Sequence, residues 1–378
     1  MCLLATLALC AATMTPSASI APSANGREAA ALTHAMAGSK TPGMAVLEIR
    51  NGFPQVEAVS GKRRISRPDP VKVGDRWNLG SDGKAMTATM VARLVEEGKL
   101  RWDTPLAQLL PELAADMQPQ YRDVTLLELL SHRAGLPENH DDLPYFYTFL
   151  DDKRPLPTQR LDYLHKAVAD APIAPARGEM HYSNTGLILA AAVAERAAGK
   201  PFEQLMYEEV FGPLGMKSAT FAQPVKPNEP VGHVDGRVAD QPKDSNPQMF
   251  MPAGGVRMSI ADWARFCIDQ MNGDQGHGKL LKPETYRLLH TGQGATHSAL
   301  GWGVAATPLG RQGPALTHNG SDGNWYAIVV LFPKTGNGLL VAANAADSMG
   351  GDKATLAVAR ELIEDLAPPK LTEPAPAL

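Results

Sequence analysis

Ser81 and Lys84 form the only Ser-x-x-Lys in the chain. On a helix, residues at that spacing share a face with Cβ atoms about 5–6 Å apart, so the amine of Lys84 can reach the hydroxyl of Ser81. A serine hydroxyl becomes a nucleophile only when a base takes its proton. Lysine is normally charged, but burial opposes the charge and brings its pKa toward about 7–8, where it can serve as that base. Backbone N–H groups at a helix start can then receive the developing oxyanion. The plainer alternative is that Ser81 caps a helix and Lys84 reaches solvent. Asp82 bears on both readings: a carboxylate there suits the helix dipole, and it also favours a charged lysine.

The element that must carry this pair follows at once. Ala85, Met86, Ala88, Met90, Val91, Ala92, Leu94 and Val95 make a helix apolar on most faces, closed by Gly98. Such a helix is buried, so Ser81 is expected at its first turn and Lys84 one turn further in.

Two further elements could complete an acyl-transfer site. Tyr182-Ser183-Asn184 is the only Tyr-x-Asn, just before a helix from about Gly186 to Ala198. Ser183 or Asn184 can be a simple N-cap and Tyr182 core, or the phenol and amide can project into a cleft; the two readings are compatible. An edge strand is also needed, to hold the substrate backbone and supply an oxyanion donor. Lys334-Thr335-Gly336 lies between two strands, after Pro333 and before Asn337-Gly338. That is turn chemistry. His318-Asn319-Gly320 instead ends the strand that begins at Ala315, and Gly320 would let a ligand approach the backbone. The second segment is therefore chosen.

The wider chain supports a helical middle between antiparallel strands. A helix is expected from Glu28 to Met36, then strands Met44–Ile49 and Val56–Ser60 joined by an Asn51-Gly52 turn. Thr125 to Glu128 is a capping box; its helix should run to Gly135, with His132 a structural cation near its end. Residues 141–159 read as loop, with Tyr145, Phe146, Tyr147 and Phe149 packing a helical subdomain or lining a cleft. Residues 222–250 read as a long surface loop. Ser259 opens another helix. Strands at Ala315–His318, Trp325–Phe332 and Leu339–Ala343 precede a terminal helix, Ala354–Leu366, and a polar tail from Pro368.

The 378 residues are 44% hydrophobic and 20% charged, a soluble globular profile. A net charge of -4 offers no basic face for nucleic acid, and no stretch is apolar enough to span a membrane. Residues 1–24 start with a short apolar run and continue with small residues, the pattern of an export segment; a lipoprotein box at Leu7–Cys10 is the lesser option, and a disordered apolar tail the remaining one. Its removal would leave Cys267 as the one cysteine, read as a buried structural thiol. The expected location is periplasmic or secreted.

The ordered set of motifs resembles the serine β-lactamase and penicillin-binding protein superfamily, in the branch of class C β-lactamases, DD-carboxypeptidases and related esterases. Leu79–Ala88, Leu94–Leu100, Leu129–Pro137, Tyr182–Gly186, Phe211–Met216, Ala253–Gly255 and Leu316–Ser321 carry the resemblance, over roughly residues 40–345. It implies an α+β fold: an antiparallel β-sheet flanked by N- and C-terminal helices, with an inserted mostly helical subdomain. Its parts would be residues 25–80 with 255–367, and 81–254 with the Ser81 helix at the interface, followed by a disordered tail at 368–378. It implies Ser81 as acylated nucleophile, and Lys84 and Tyr182 as the proton-transfer pair, in an order left open. Asn184 would bind a substrate polar group; His318, Asn319 and Gly320 would form the strand wall; the N–H groups of Ser81 and Ser321 would form the oxyanion hole. A small-molecule or peptide substrate is implied, with no cofactor and no metal. The oligomeric state stays open. One departure matters: His318 stands where β-lactamases of this branch have lysine. Histidine is only partly charged at neutral pH, which favours an esterase or peptidase over a β-lactamase or a slowly deacylating penicillin sensor.

Other hydrolase designs fit less well. No serine lies in a Gly-x-Ser-x-Gly elbow, and the ten histidines include no His-x-x-x-His pair.

Overall fold

The structure is a computed structural model that describes residues 21–22, 26–172, 177–221, 223 and 228–370. The export segment therefore lies outside the described residues, apart from β1 (Ala21–Pro22).

The chain then folds as α1 (Arg27–Ala37), the hairpin β2 (Gly43–Arg50) and β3 (Phe53–Gly61), β4 (Arg76–Asn78) and α2 (Gly83–Glu96). A mostly helical stretch includes α3 (Leu126–Leu130) and α4 (Asn184–Ala198). The short pair β5 (His233–Val234) and β6 (Arg237–Val238), β7 (Arg257–Ser259) and α5 (Ile260–Asp274) come next. The end of the chain is β8 (Gly303–Ala305), β9 (Ala315–Ser321), β10 (Tyr326–Phe332), β11 (Asn337–Ala343) and α6 (Gly351–Leu362).

One seven-stranded sheet has the order β1-β3-β2-β11-β10-β9-β8. It is antiparallel except where β1 joins β3. Both faces are covered, which explains why β2 and β11 are apolar nearly throughout. On one face Met44, Val46 and Val341 meet Leu32 of α1 and Val358 and Leu362 of α6. On the other, Ala45, Leu47, Leu340 and Ala342 join the large core that holds Trp263 and Phe266 of α5 and the apolar residues of α2. The period of two along each strand decides which face a side chain enters. This mixed α/β architecture with an antiparallel sheet is the expected fold class.

Four local expectations need correction. The segment 222–250 is not a featureless surface loop: it contains β5 and β6 and a turn at Gln248–Phe250, and His233 is fully buried. Its ring bridges Asn344 O at 2.7 Å and the N–H of Ile65 at 3.0 Å. Two-residue strands carry no periodicity to read. Residues 141–159 contain a helix, Leu143–Thr148, capped by Asp142, and the start of another, Leu156–Ala169, that proline opens. The capping box on α3 forms as expected, but that helix stops at Leu130, five residues before Gly135. At the C-terminus, Pro368 accepts from Gln312 N–H and Lys370 N–H donates to Gly310 O, so the ordered chain runs past residue 367; residues 371–378 lie outside the described ones.

Candidate active site

The site forms where three remote segments cross. β4 pairs with β7 and delivers the chain into a tight turn, Gly80–Asp82, ahead of α2. Ser81 thus sits on the turn rather than in the α-helix itself. Asn78 braces the turn by accepting from Gly80 N–H at 2.8 Å and donating to Asp322 at 2.7 Å. Asp322 also accepts from the N–H groups of Asn324 and Trp325, which fixes the exit of β9. Sequence reasoning missed Asp322; the Asp-Gly-Asn following Ser321 was its signal.

Close crossing demands glycine. Gly80 has φ +48°, and a Cβ there would come 2.4 Å from Ser321 N. A Cβ on Gly320 would come 1.9 Å from Leu79 O. Gly320 was expected to admit a ligand. Instead it admits the turn that bears Ser81, which holds β9 against that turn.

Lys84 is fully buried at the start of α2. Its Nζ lies 2.9 Å from Ser81 Oγ and donates to the carbonyl of Ala253. The 252–253 carbonyls are held in turn by α2, because Thr87 Oγ1 donates to Pro252 O at 2.9 Å. Burial lowers the Lys84 pKa to about 7, against the opposing pull of Asp82 and Glu138. The amine is thus poised to be neutral near physiological pH.

Tyr182 reaches Ser81 from the loop before α4, its hydroxyl 2.7 Å from Oγ. Burial raises its pKa, so it stays a phenol and donates that bond. Ser183 caps α4 by accepting from Gly186 N–H. Asn184 donates to Asn139 at 3.0 Å and lines the same cavity as Ser81.

His132 corrects the sequence reading. It is not a cation at a helix end. It is buried, and that burial, with the charges of Lys84 and His318 nearby, pushes its pKa down to about 3. Its ring packs 4.6 Å from that of Tyr182, and Nδ1 accepts from Ser183 N–H at 3.1 Å. A neutral imidazole therefore sets the tyrosine loop. Its left-handed backbone, φ 59°, accompanies that placement.

Beyond Thr317, β9 loses its partner β8, which pairs only with Ala315–Thr317. His318 to Ser321 therefore form an open strand edge beside Ser81. Two cavities meet at Tyr182, and Ser81 lines the first of them. One, about 350 Å³, is lined by Ser81, Asn184, Phe146, Tyr147, Gly254 and Ser321. The other, about 600 Å³, is lined by Tyr182, His132, Trp302, Thr317, His318 and Asn319. Of the expected aromatics, Phe146 and Tyr147 line the first cavity, while Phe149 packs in the core. Lys334-Thr335-Gly336 is the turn between β10 and β11, paired from Phe332 to Asn337, as its residue types predict. Among the described residues no group of three or more His, Cys, Asp or Glu is placed to hold a metal ion, and no helix is long and apolar enough to cross a membrane.

A family model described as Beta-lactamase matches residues 29–363. The chain belongs to the β-lactamase family. Penicillin-binding protein 4 of Amycolatopsis lactamdurans is 26% identical over 325 residues, covering 79% of this chain and 78% of that protein. The D-alanyl-D-alanine-carboxypeptidase/endopeptidase AmpH of Escherichia coli K12 is 30% identical over 189 residues, 50% of this chain and 47% of that one. An octameric penicillin-binding protein homologue from Pyrococcus abyssi shares the fold, with a TM-score of 0.73 over 91% of this chain and 79% of that one at 22% identity. Membership in this family agrees with the resemblance that the motifs carry.

Proposed function

We propose that this member of the family is a serine hydrolase that forms an acyl-enzyme on an ester or amide, of the esterase or D-amino-acid peptidase type. The observation that carries the proposal is the hydrogen-bonded chain Tyr182–Ser81–Lys84, ending on the Ala253 carbonyl between two cavities. In this reading neutral Lys84 accepts the Ser81 proton as Oγ attacks the substrate carbonyl. Lys84 is the first base because its pKa is lowered to about 7, whereas that of Tyr182 is raised. The phenol hands a proton toward the leaving group and recovers it from the amine. The N–H groups of Ser81 and Ser321 hold the oxyanion; one such donor typically contributes about 2.7–4 kcal/mol. Asn184 binds a polar group of the acyl part, and His318, Asn319 and Gly320 form the wall. Water then frees the acyl group. Export to the periplasm or medium belongs to the same reading.

The choice of ester or peptide over β-lactam rests on His318, an imidazole at the place where the resemblance implies a lysine in a β-lactamase. A panel of a p-nitrophenyl ester, a D-Ala-D-Ala peptide and a chromogenic cephalosporin tests it. Steady turnover of ester or peptide, with the cephalosporin slowest, is expected. Fastest turnover of the cephalosporin would mean a β-lactamase, and one equivalent of product followed by a stall would mean a sensor.

Two substitutions separate the wall from the decoy. His318→Ala should lower kcat/KM by about tenfold, the scale of one lost hydrogen bond to a charged or polar partner. Lys334→Ala, in the remote β10–β11 turn, should change it less than twofold. The opposite ranking in a steady-state assay would mean that the wrong segment has been placed against the substrate.

A further inference from the structure

We propose that Asp82 is a positioning residue for His318: it holds the imidazole with the proton on Nδ1 and leaves Nε2 as the ring nitrogen that meets substrate. The proposal rests on the reading that His318 belongs to the substrate-binding wall.

The geometry comes from both sides of the pair. Asp82 lies in the turn next to Ser81, and its side chain is wholly enclosed. It does not cap α2, and neither carboxylate oxygen has a hydrogen-bond partner among the described residues. What it faces is His318, with Oδ1 3.4 Å from Nδ1, an ion-pair distance rather than a closed hydrogen bond. The same Nδ1 lies 2.9 Å from the carbonyl of Asn319. Two acceptors thus converge on one ring nitrogen. A lone pair there would repel both, so Nδ1 carries the proton in every charge state of the ring. Gly320 makes the approach possible from the strand side, since a Cβ at that position would sit 2.9 Å from Asp82 Oδ2.

The alternative partner for Asp82 is Lys84, two residues on. Yet the Lys84 Nζ makes its hydrogen bonds to Ser81 and Ala253 and none to the carboxylate. Burial pushes the Asp82 pKa up to about 6, opposed chiefly by His318. The group is still a carboxylate at neutral pH and complements an N–H.

The consequence is a specificity for substrates with a donor. In the neutral ring, Nε2 is an acceptor, so the cavity beside Trp302 takes substrate portions that bring an amide N–H or a hydroxyl to it. A carboxylate that fixes a histidine tautomer is known to fail when changed to asparagine, because the amide supplies a donor where an acceptor is needed and the ring turns to the wrong tautomer.

Nitrogen-15 NMR on histidine-labelled protein tests the pairing without requiring turnover, with His318→Gln identifying the resonance. The wild-type neutral ring should show Nδ1–H and an unprotonated Nε2. In Asp82→Asn only the Asn319 carbonyl is left as a fixed acceptor for Nδ1–H, so the Nε2–H tautomer should become measurably populated. On a donor-bearing peptide substrate, Asp82→Asn should lower kcat/KM about tenfold, and the double variant Asp82→Asn/His318→Ala should be no worse than His318→Ala, the signature of coupled residues. An Nε2–H tautomer in the wild type would overturn the proposal, and so would losses that multiply in the double variant. If the wild type hydrolyses nothing, the functional reading fails, while the tautomer still decides the pairing. Should Asp82→Asn not fold, the tautomer seen in the wild-type spectrum is sufficient to uphold or overturn the pairing.

Discussion

Ser81→Ala should reduce ester hydrolysis on the order of 10⁴-fold or more, as removal of a catalytic serine does where the base and nucleophile act as a unit. The expectation follows from the two hydrogen bonds that meet on one oxygen. Tyr182 approaches Oγ at 2.7 Å and Lys84 at 2.9 Å. Among the described residues neither group makes a hydrogen bond to another hydroxyl. The fold should survive, because the deletion removes one oxygen from a half-buried side chain and no apolar packing. A loss of about 1 kcal/mol in stability is the scale of a hydrogen bond. Kinetics and thermal unfolding on the same preparation check both halves. Hydrolysis that persists undiminished in a folded variant would remove Ser81 from the mechanism.

Lys84→Met is the second large effect, and it should act in opposite directions on activity and stability. Methionine keeps the length and the buried packing but cannot accept a proton. General-base removal typically costs about 10²–10⁴-fold. The wild-type kcat/KM should rise with pH through about 7 and then level, since the proposed mechanism works through the neutral amine and burial lowers its pKa to about 7. The sign for stability follows from proton counting. The unfolded lysine keeps its proton up to its ordinary pKa of 10.5, while the folded one releases it near 7. Between those values the unfolded chain binds more protons, so this residue makes stability rise with pH; below 7 its full penalty is present. Lys84→Met has no such penalty. Its stability advantage over wild type should therefore be largest below pH 7 and shrink by roughly 2–3 kcal/mol between pH 6.5 and 9. Chemical denaturation at the two pH values measures this. An advantage that does not change with pH, or a rate profile that first rises above pH 9, would show that Lys84 is charged when the enzyme works.

The two variants draw on information that was local in sequence. A spacing of three residues becomes one helical face whatever the rest of the chain does, so the Ser81–Lys84 contact was readable. The apolar β2 and β11, the turn at Lys334-Thr335-Gly336 and the capping box at Thr125 were readable for the same reason: each depends on neighbours within a few positions. The rest depended on residues far apart in sequence. His132 and Tyr182 are fifty residues apart, and only the packed structure turns the histidine from an expected helix-end cation into a neutral support. The Ala253 carbonyl that receives Lys84 left no side-chain signal at all. Gly320 was correctly singled out for a close approach, but the approaching group proved to be the chain's own Leu79. Asp82 was read only through the helix dipole and its neighbour Lys84, whereas the side chain it faces is 236 positions away. A local pattern can propose the nucleophile and its base. The groups that hold them in register come from other segments and show themselves only in three dimensions.

The most direct measurement is intact-protein and peptide mass spectrometry after quenching the reaction with a slowly hydrolysed acylating substrate. One added acyl mass on the peptide that contains Ser81, absent in Ser81→Ala, is the predicted result. An adduct on another residue, or continued turnover with no covalent adduct at any quench time, would contradict the account.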